Sequence, residues 1–391
     1  MKNPSSIKVA RLAVLAAFSF NGLILGTWVS RIPAIQSKLE MSEGTLGLVL
    51  MGISAGVIVA LSMAGGLVGR FGSRTMTMAG AIGLCFVLPL PALMPNTMAL
   101  FAALFIFGAF LSTMDVAMNA QAVAVENMAE KPLMSSFHAF FSIGGLAGAL
   151  LGAGLVALGL SVLNQFLLVA LFSLAAVLFC GRYLVQDSGE EEEREGGSIF
   201  RLPPRPLWAL GAVAFCVAIG EGSMGDWSSV YLIKVLGTTQ AFAALGFAAF
   251  SATMTLGRLT GDWLALRFAP VNVVRYGGLL ASLGLLTAVF ANNEYIVLIG
   301  FGAVGAGVAN GIPLAFSAAG RFPGLTAGAG IAGVATIGYA GFLAGPPLIG
   351  LVADATSLRV AFFLAALLVG TLVFSAQALR PRALQAAPAQ D

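Results

Sequence analysis

Apolar runs long enough to cross a lipid bilayer recur from one end of this 391-residue chain to the other. A helix needs about 20 predominantly apolar residues to span a hydrocarbon core. By that requirement, spans of ~20 to 25 residues begin near residues 8, 44, 75, 97, 134, 161, 208, 241, 271, 295, 327 and 357. Only 9% of the residues are charged and 59% are hydrophobic, whereas a soluble domain carries about 25% charged residues. A membrane barrel would show alternating segments of about ten residues. The runs here are far longer, so the spans are expected to be helices. The 49 Gly suit helices whose backbones approach closely. The reading is an all-α membrane protein of twelve transmembrane helices.

Lys and Arg test that count. With an inside N-terminus, only Arg31, Lys38, Lys234 and Arg359 of the 20 basic residues fall on the outer side, the bias that the positive-inside rule demands. Both termini are therefore expected in the cytoplasm. Topology explains the basic residues, so the net charge of +3 is no argument for nucleic-acid binding. Lys2, Lys8 and Arg11 precede a first run that continues to about Ser30 without a clear cleavage site, so the first span is expected to be retained. Cys85, Cys180 and Cys216 lie in apolar segments without C-x-x-C spacing, and there is a single His. No metal or other cofactor is expected.

One long hydrophilic segment, Gln186 to Pro206, carries Glu190 to Glu193 and Pro203-Pro204 and reads as a charged linker. It divides the chain into a bundle at 1–185, a cytoplasmic linker at 186–206 and a second bundle at 207–391. The halves echo each other. Asn21 to Arg31 resembles Gly220 to Tyr231 with Trp28 and Trp227 aligned, Leu46-Gly47 matches Leu245-Gly246, and Gly144-x-x-x-Gly148 matches Gly341-x-x-x-Gly345. Two similar six-helix halves suggest parallel repeats around a midplane site.

The stretch Gly65-Gly66-Leu67-Val68-Gly69-Arg70-Phe71-Gly72-Ser73-Arg74 resembles the cytoplasmic signature of the major facilitator superfamily. Gly69 stands where that family usually has Asp, and Ser73 replaces a basic residue. The second half has a copy that keeps its acid, Gly257-Arg258-Leu259-Thr260-Gly261-Asp262, followed by Arg267-Phe268. Trp28 to Pro33, Asp115 to Gln121, Ser136 to Ala139 and Asp226-Trp227-Ser228 resemble a poorly characterised bacterial inner-membrane group within it. The resemblance implies two six-helix bundles in the bacterial inner membrane and secondary transport of a small-molecule substrate by alternating access. Gly65, Gly69, Arg70, Gly72, Arg74, Arg258, Asp262 and Arg267 are then the cytoplasmic gate. A monomer is expected, and no enzyme activity.

Carboxylates inside apolar runs mark the candidate mechanism, because a charge at the bilayer centre costs about 2.5–3.5 kcal/mol and tends to be functional. Glu221, near the middle of the seventh span, is read as a proton-coupling or substrate-binding acid, or else as a packing acid. Asp226, about 140° round that helix, is paired with Arg31 as an outer gate, unless Arg31 snorkels to the interface. Asp115 and Asn119 share a face at i,i+4 and are placed in the cytoplasmic half of the fourth span. With His138 they form either a proton relay or a structural cluster. Asn21 and Asn310 are expected at a central cavity. Trp28 and Trp227 are either its aromatic walls or interfacial anchors. Asp262 is expected to accept from the helix N-terminus at Ser135-Ser136, latching the cytoplasmic side. The leading function is a proton-coupled secondary transporter. The alternative is a transport-inactive sensor on the same scaffold, which the change at Gly69 favours.

Overall fold

A computed structural model describes residues 4–130, 133–186, 204–323, 325 and 327–380. Almost all of the expected linker at 186–206 lies outside the described residues. Twelve helices are long and apolar enough to cross a membrane. They are α1 (Ile7–Lys38), α2 (Glu43–Phe71), α3 (Ser73–Leu93), α4 (Thr97–Ala129), α5 (Ser136–Ala157), α6 (Val162–Tyr183), α7 (Trp208–Leu236), α8 (Gln240–Gly261), α9 (Pro270–Phe290), α10 (Glu294–Ala319), α11 (Gly330–Ala355) and α12 (Leu358–Leu379). α8 continues as helix to Phe268. Because the spans alternate in direction, one face of the bundle carries both chain ends; we call it the terminal face, and the opposite one the far face.

Local sequence sets the helix starts differently on the two faces. All six even-numbered helices begin on the far face, after Ser42, Asn96, Ser161, Thr239, Asn293 and Ser357. Each of these side chains accepts a hydrogen bond from a backbone N–H in the first turn. Such a cap satisfies donors that a membrane helix cannot leave bare, and is worth about 1 kcal/mol. On the terminal face, α3 and α9 start without a side-chain cap.

The helices form two six-helix bundles with matching internal contacts. α1 packs on α5 as α7 packs on α11, and α2 packs on α4 as α8 packs on α10. The close approaches rest on glycine. A Cβ at Gly22 or Gly26 would fall under 3.0 Å from the carbonyls of Phe141 and Gly145, and one at Gly148 would meet the Leu23 carbonyl as closely. In the other half, Gly341 of α11 lies as close to the Phe215 carbonyl of α7. With lipid as apolar as the helices, this contact rather than hydrophobicity holds neighbours together.

Two helix pairs make the seam between the bundles, α2 with α11 and α5 with α8. At the far face α2 and α11 touch closely: the backbone at Gly47 faces the Pro346 carbonyl, and that at Gly350 faces the Glu43 carbonyl. At the terminal end of α2 no such contact is made: among the described residues, nothing lies within 4 Å of a Cβ built at Gly65, Gly66 or Gly69.

Candidate functional site

Glu221 sits midway along α7 and meets Arg258 of α8 at 3.5 Å. The two side chains are 15% and 22% exposed, and two such charges are not left in a bilayer without each other. Arg258 also reaches the opposite bundle, donating to the Ser142 hydroxyl of α5 at 3.4 Å. Ser251, two turns earlier on α8, donates to the Ser142 carbonyl at 3.3 Å. A proton-titratable group is thus wired to the α5–α8 seam through one guanidinium. Sequence reasoning singled out Glu221 but put Arg258 at the cytoplasmic gate. Only the rotation of α8 against α7 reveals it as the partner.

His138 lies one turn before Ser142 on α5, and Ser142 donates to its carbonyl at 3.4 Å. Its imidazole stands in the field of Arg258 and edge-on to Phe18 of α1, 5.3 Å between ring centres. The relay with Asp115 does not form. Asp115 instead accepts at 3.3 Å from Asn119, whose amide also donates to the Asp115 carbonyl at 2.8 Å. Both residues stay half-buried. Asp115 lies just past the middle of the 33-residue helix α4 and Asn119 one turn further, both in its terminal-face half.

The expected pair of Arg31 with Asp226 does not form. Arg31 is 3% exposed and turns into its own bundle. It donates to the Gln165 amide oxygen of α6 and to the Leu160 carbonyl, both at 2.6 Å. It neither pairs with Asp226 nor snorkels. Asp226 is half-buried, and no ion pair reaches it among the described residues. What bridges the bundles at the far face is Lys234 of α7 with Glu43 of α2, at 3.5 Å. Beside it the Ser42 hydroxyl donates to Asp354 of α11 at 2.8 Å. These polar residues sit at helix ends, where a solvated charge looks ordinary, so the sequence did not distinguish them.

The other expectations divide. Trp28 and Trp227 are neither cavity walls nor interfacial anchors, because they are 1% and 0% exposed. Trp28 packs between Phe107 and Phe166, and Trp227 lies against Gly350. Asn310 is not a cavity group. It sits at the break in α10 between Val308 and Gly311 and donates to the Gly257 carbonyl of α8 at 3.1 Å. Asn21 is 1% exposed, and its amide nitrogen has no partner among the described residues.

On the terminal face, Arg70 is exposed over the Phe71 ring at 5.2 Å, Arg74 reaches Gln186 at 3.4 Å, and Arg267 is exposed. Gly72 takes φ 81° between α2 and α3, a left-handed value that favours glycine. The side chains of Asp262 and Ser135 lie outside the described residues. The N-terminus of α5 already has an anionic partner, since Glu126 of α4 accepts from the backbone N–H of Leu133 and of Met134, both at 2.9 Å. An acid of the same bundle thus meets this N-terminus, as the helix dipole favours.

Known proteins give this arrangement a setting. Residues 12–319 match the model of the Major Facilitator Superfamily. An uncharacterised MFS-type transporter of Yersinia pestis is 37% identical over 93% of this chain and 94% of its own length. The membrane protein MosC of Rhizobium meliloti is 34% identical over 95% of this chain and 90% of its own. Among solved structures, the nucleoside transporter NupG superposes with TM-score 0.75 at 15% identity, over 94% of this chain and 98% of that one. The E. coli fucose:proton symporter FucP gives 0.63 at 20% identity, over 95% and 98%. At such identities these structures speak for the fold alone. With twelve spans, two matching bundles and a charged pair at the seam, the chain belongs to the Major Facilitator Superfamily and is a secondary transporter, not an enzyme.

Proposed function

We propose that this protein moves a small solute across the bacterial inner membrane by alternating access, coupled to protons through Glu221. The observation that carries the reading is the Glu221–Arg258 pair at mid-depth, with Arg258 also held by Ser142 of the opposite bundle. Protonating Glu221 removes the charge that holds Arg258, and the guanidinium is then free to shift its hold on α5. A proton event at one side chain thereby changes the contact between the two halves. By the distribution of Lys and Arg, the terminal face is the cytoplasmic one. The close α2–α11 contact at the far face and its absence among the described residues at Gly65, Gly66 and Gly69 then correspond to an inward-open state.

The test is solute-dependent proton flux into proteoliposomes, with a screen of candidate solutes. Wild-type protein is expected to move protons with its solute. Glu221→Gln is expected to lose the proton flux while still exchanging solute across the bilayer. Flux unchanged in Glu221→Gln refutes the coupling role.

A further inference from the structure

We propose that the transported solute carries a cationic nitrogen, and that Asp115 of α4 is its counter-charge, with Asn119 beside it. This deepens the transport reading above and rests on it.

The charges at mid-depth do not balance. α4 and α7 bring three carboxylates into the middle of the membrane: Asp115, Glu221 and Asp226. The cation that meets one of them is Arg258, and it is committed to Glu221. Arg31, the other buried guanidinium, is taken up by Gln165 and Leu160. His138 faces Phe18 and Arg258 rather than an acid. Asp115 is therefore left with one amide donor, Asn119, on one of its two oxygens. A carboxylate in such a place is normally met by a cation or by several donors. Its other oxygen is open to a partner from outside the chain.

The surroundings suit an ammonium group. Asp115 is only half-buried, so one side of it is accessible. It stands near the middle of its helix, as Glu221 does, where solute and proton sites can influence each other. Asn119 donates through its amide nitrogen, which leaves its amide oxygen as a second acceptor beside the carboxylate. A carboxylate and an amide oxygen together recognise an ammonium by charge and hydrogen bonding.

Equilibrium binding to the purified protein tests this. The probes are a panel of small primary amines from ethanolamine to phenethylamine and spermidine, each against its N-acetyl derivative, at fixed pH and again in NaCl alone. Wild-type protein is expected to bind at least one amine and not its acetylated form. Asp115→Asn is expected to weaken that binding by about 10- to 100-fold and Asp115→Glu to retain part of it. The inference is overturned if no amine binds, if neutral or anionic solutes bind instead, if sodium alone occupies the site, or if binding survives Asp115→Asn. If amine binding falls in Glu221→Gln and not in Asp115→Asn, the cation site is at Glu221; this inference fails and the transport reading stands. Amine binding with no proton flux in any variant fails the coupling proposal and leaves this one intact.

Discussion

Breaking the Glu221–Arg258 pair one partner at a time should damage the protein far more than removing both. At 3.5 Å and an effective dielectric constant of about 20, the Coulomb attraction is 332/(20 × 3.5), about 5 kcal/mol. Taking both groups out of water offsets most of it, so the pair adds little net stability. Removing one partner leaves a charge that is mostly buried and uncompensated, at a cost of about 3–5 kcal/mol. The side chains keep 15% and 22% exposure, which places each single change at the low end, about 3 kcal/mol. Arg258→Met also loses the bond to Ser142 and should be the worse of the two. Glu221→Leu with Arg258→Met replaces the pair by apolar groups of similar volume and should return to within about 1 kcal/mol of wild type. The assay is denaturant unfolding in mild detergent for the wild type, both single variants and the double. If the costs simply add, to about 6 kcal/mol, the two residues do not interact and the reasoning is wrong.

Other outcomes follow from single contacts. Gly26→Ala should push α1 from α5 and cost about 1–3 kcal/mol through the close approach to the Gly145 carbonyl. Gly65→Ala, where nothing lies within 4 Å, should be neutral in the same thermal-unfolding series; equal losses would refute the packing account. Glu126→Ala should lose the acceptor for the Leu133 and Met134 N–H groups and cost about 0.5–2 kcal/mol, read as a lower unfolding temperature. Glu43→Ala with Asp354→Ala removes the far-face bridges. It should raise labelling of Ser54→Cys by an impermeant thiol reagent added from the far face, whereas Asp226→Asn should not. Labelling raised by Asp226→Asn instead would restore that residue as a gate.

Fold and site were legible in the sequence to different depths. Twelve spans follow from run length alone, because a bilayer fixes how many apolar residues a helix needs and leaves no alternative to helix for a backbone without water. The two bundles follow from the repeat, since Gly144 of α5 meets α1 as Gly341 of α11 meets α7; the aligned Trp28 and Trp227 pack differently, and Tyr231 rather than Trp227 stands between aromatic rings of α10 and α12 as Trp28 does between those of α4 and α6. The cost of a buried charge marked Glu221, Asp115 and Asp226 as residues to explain. Partners were another matter. Arg258, Gln165, Ser142, Glu126 and Asp354 lie 7 to 312 positions from the residues they bond. Helical periodicity says which face a residue shares, not how that face is rotated against its neighbours. Arg31 turning to Gln165 instead of Asp226, and Trp28 turning into its own bundle, are results of that rotation. The sequence by itself determined the membrane class, the number of spans, the doubling and the costly acids, because each is a property of one helix at a time. Only the tertiary structure decided which charge meets which and where the bundles touch, because those depend on several helices placed at once.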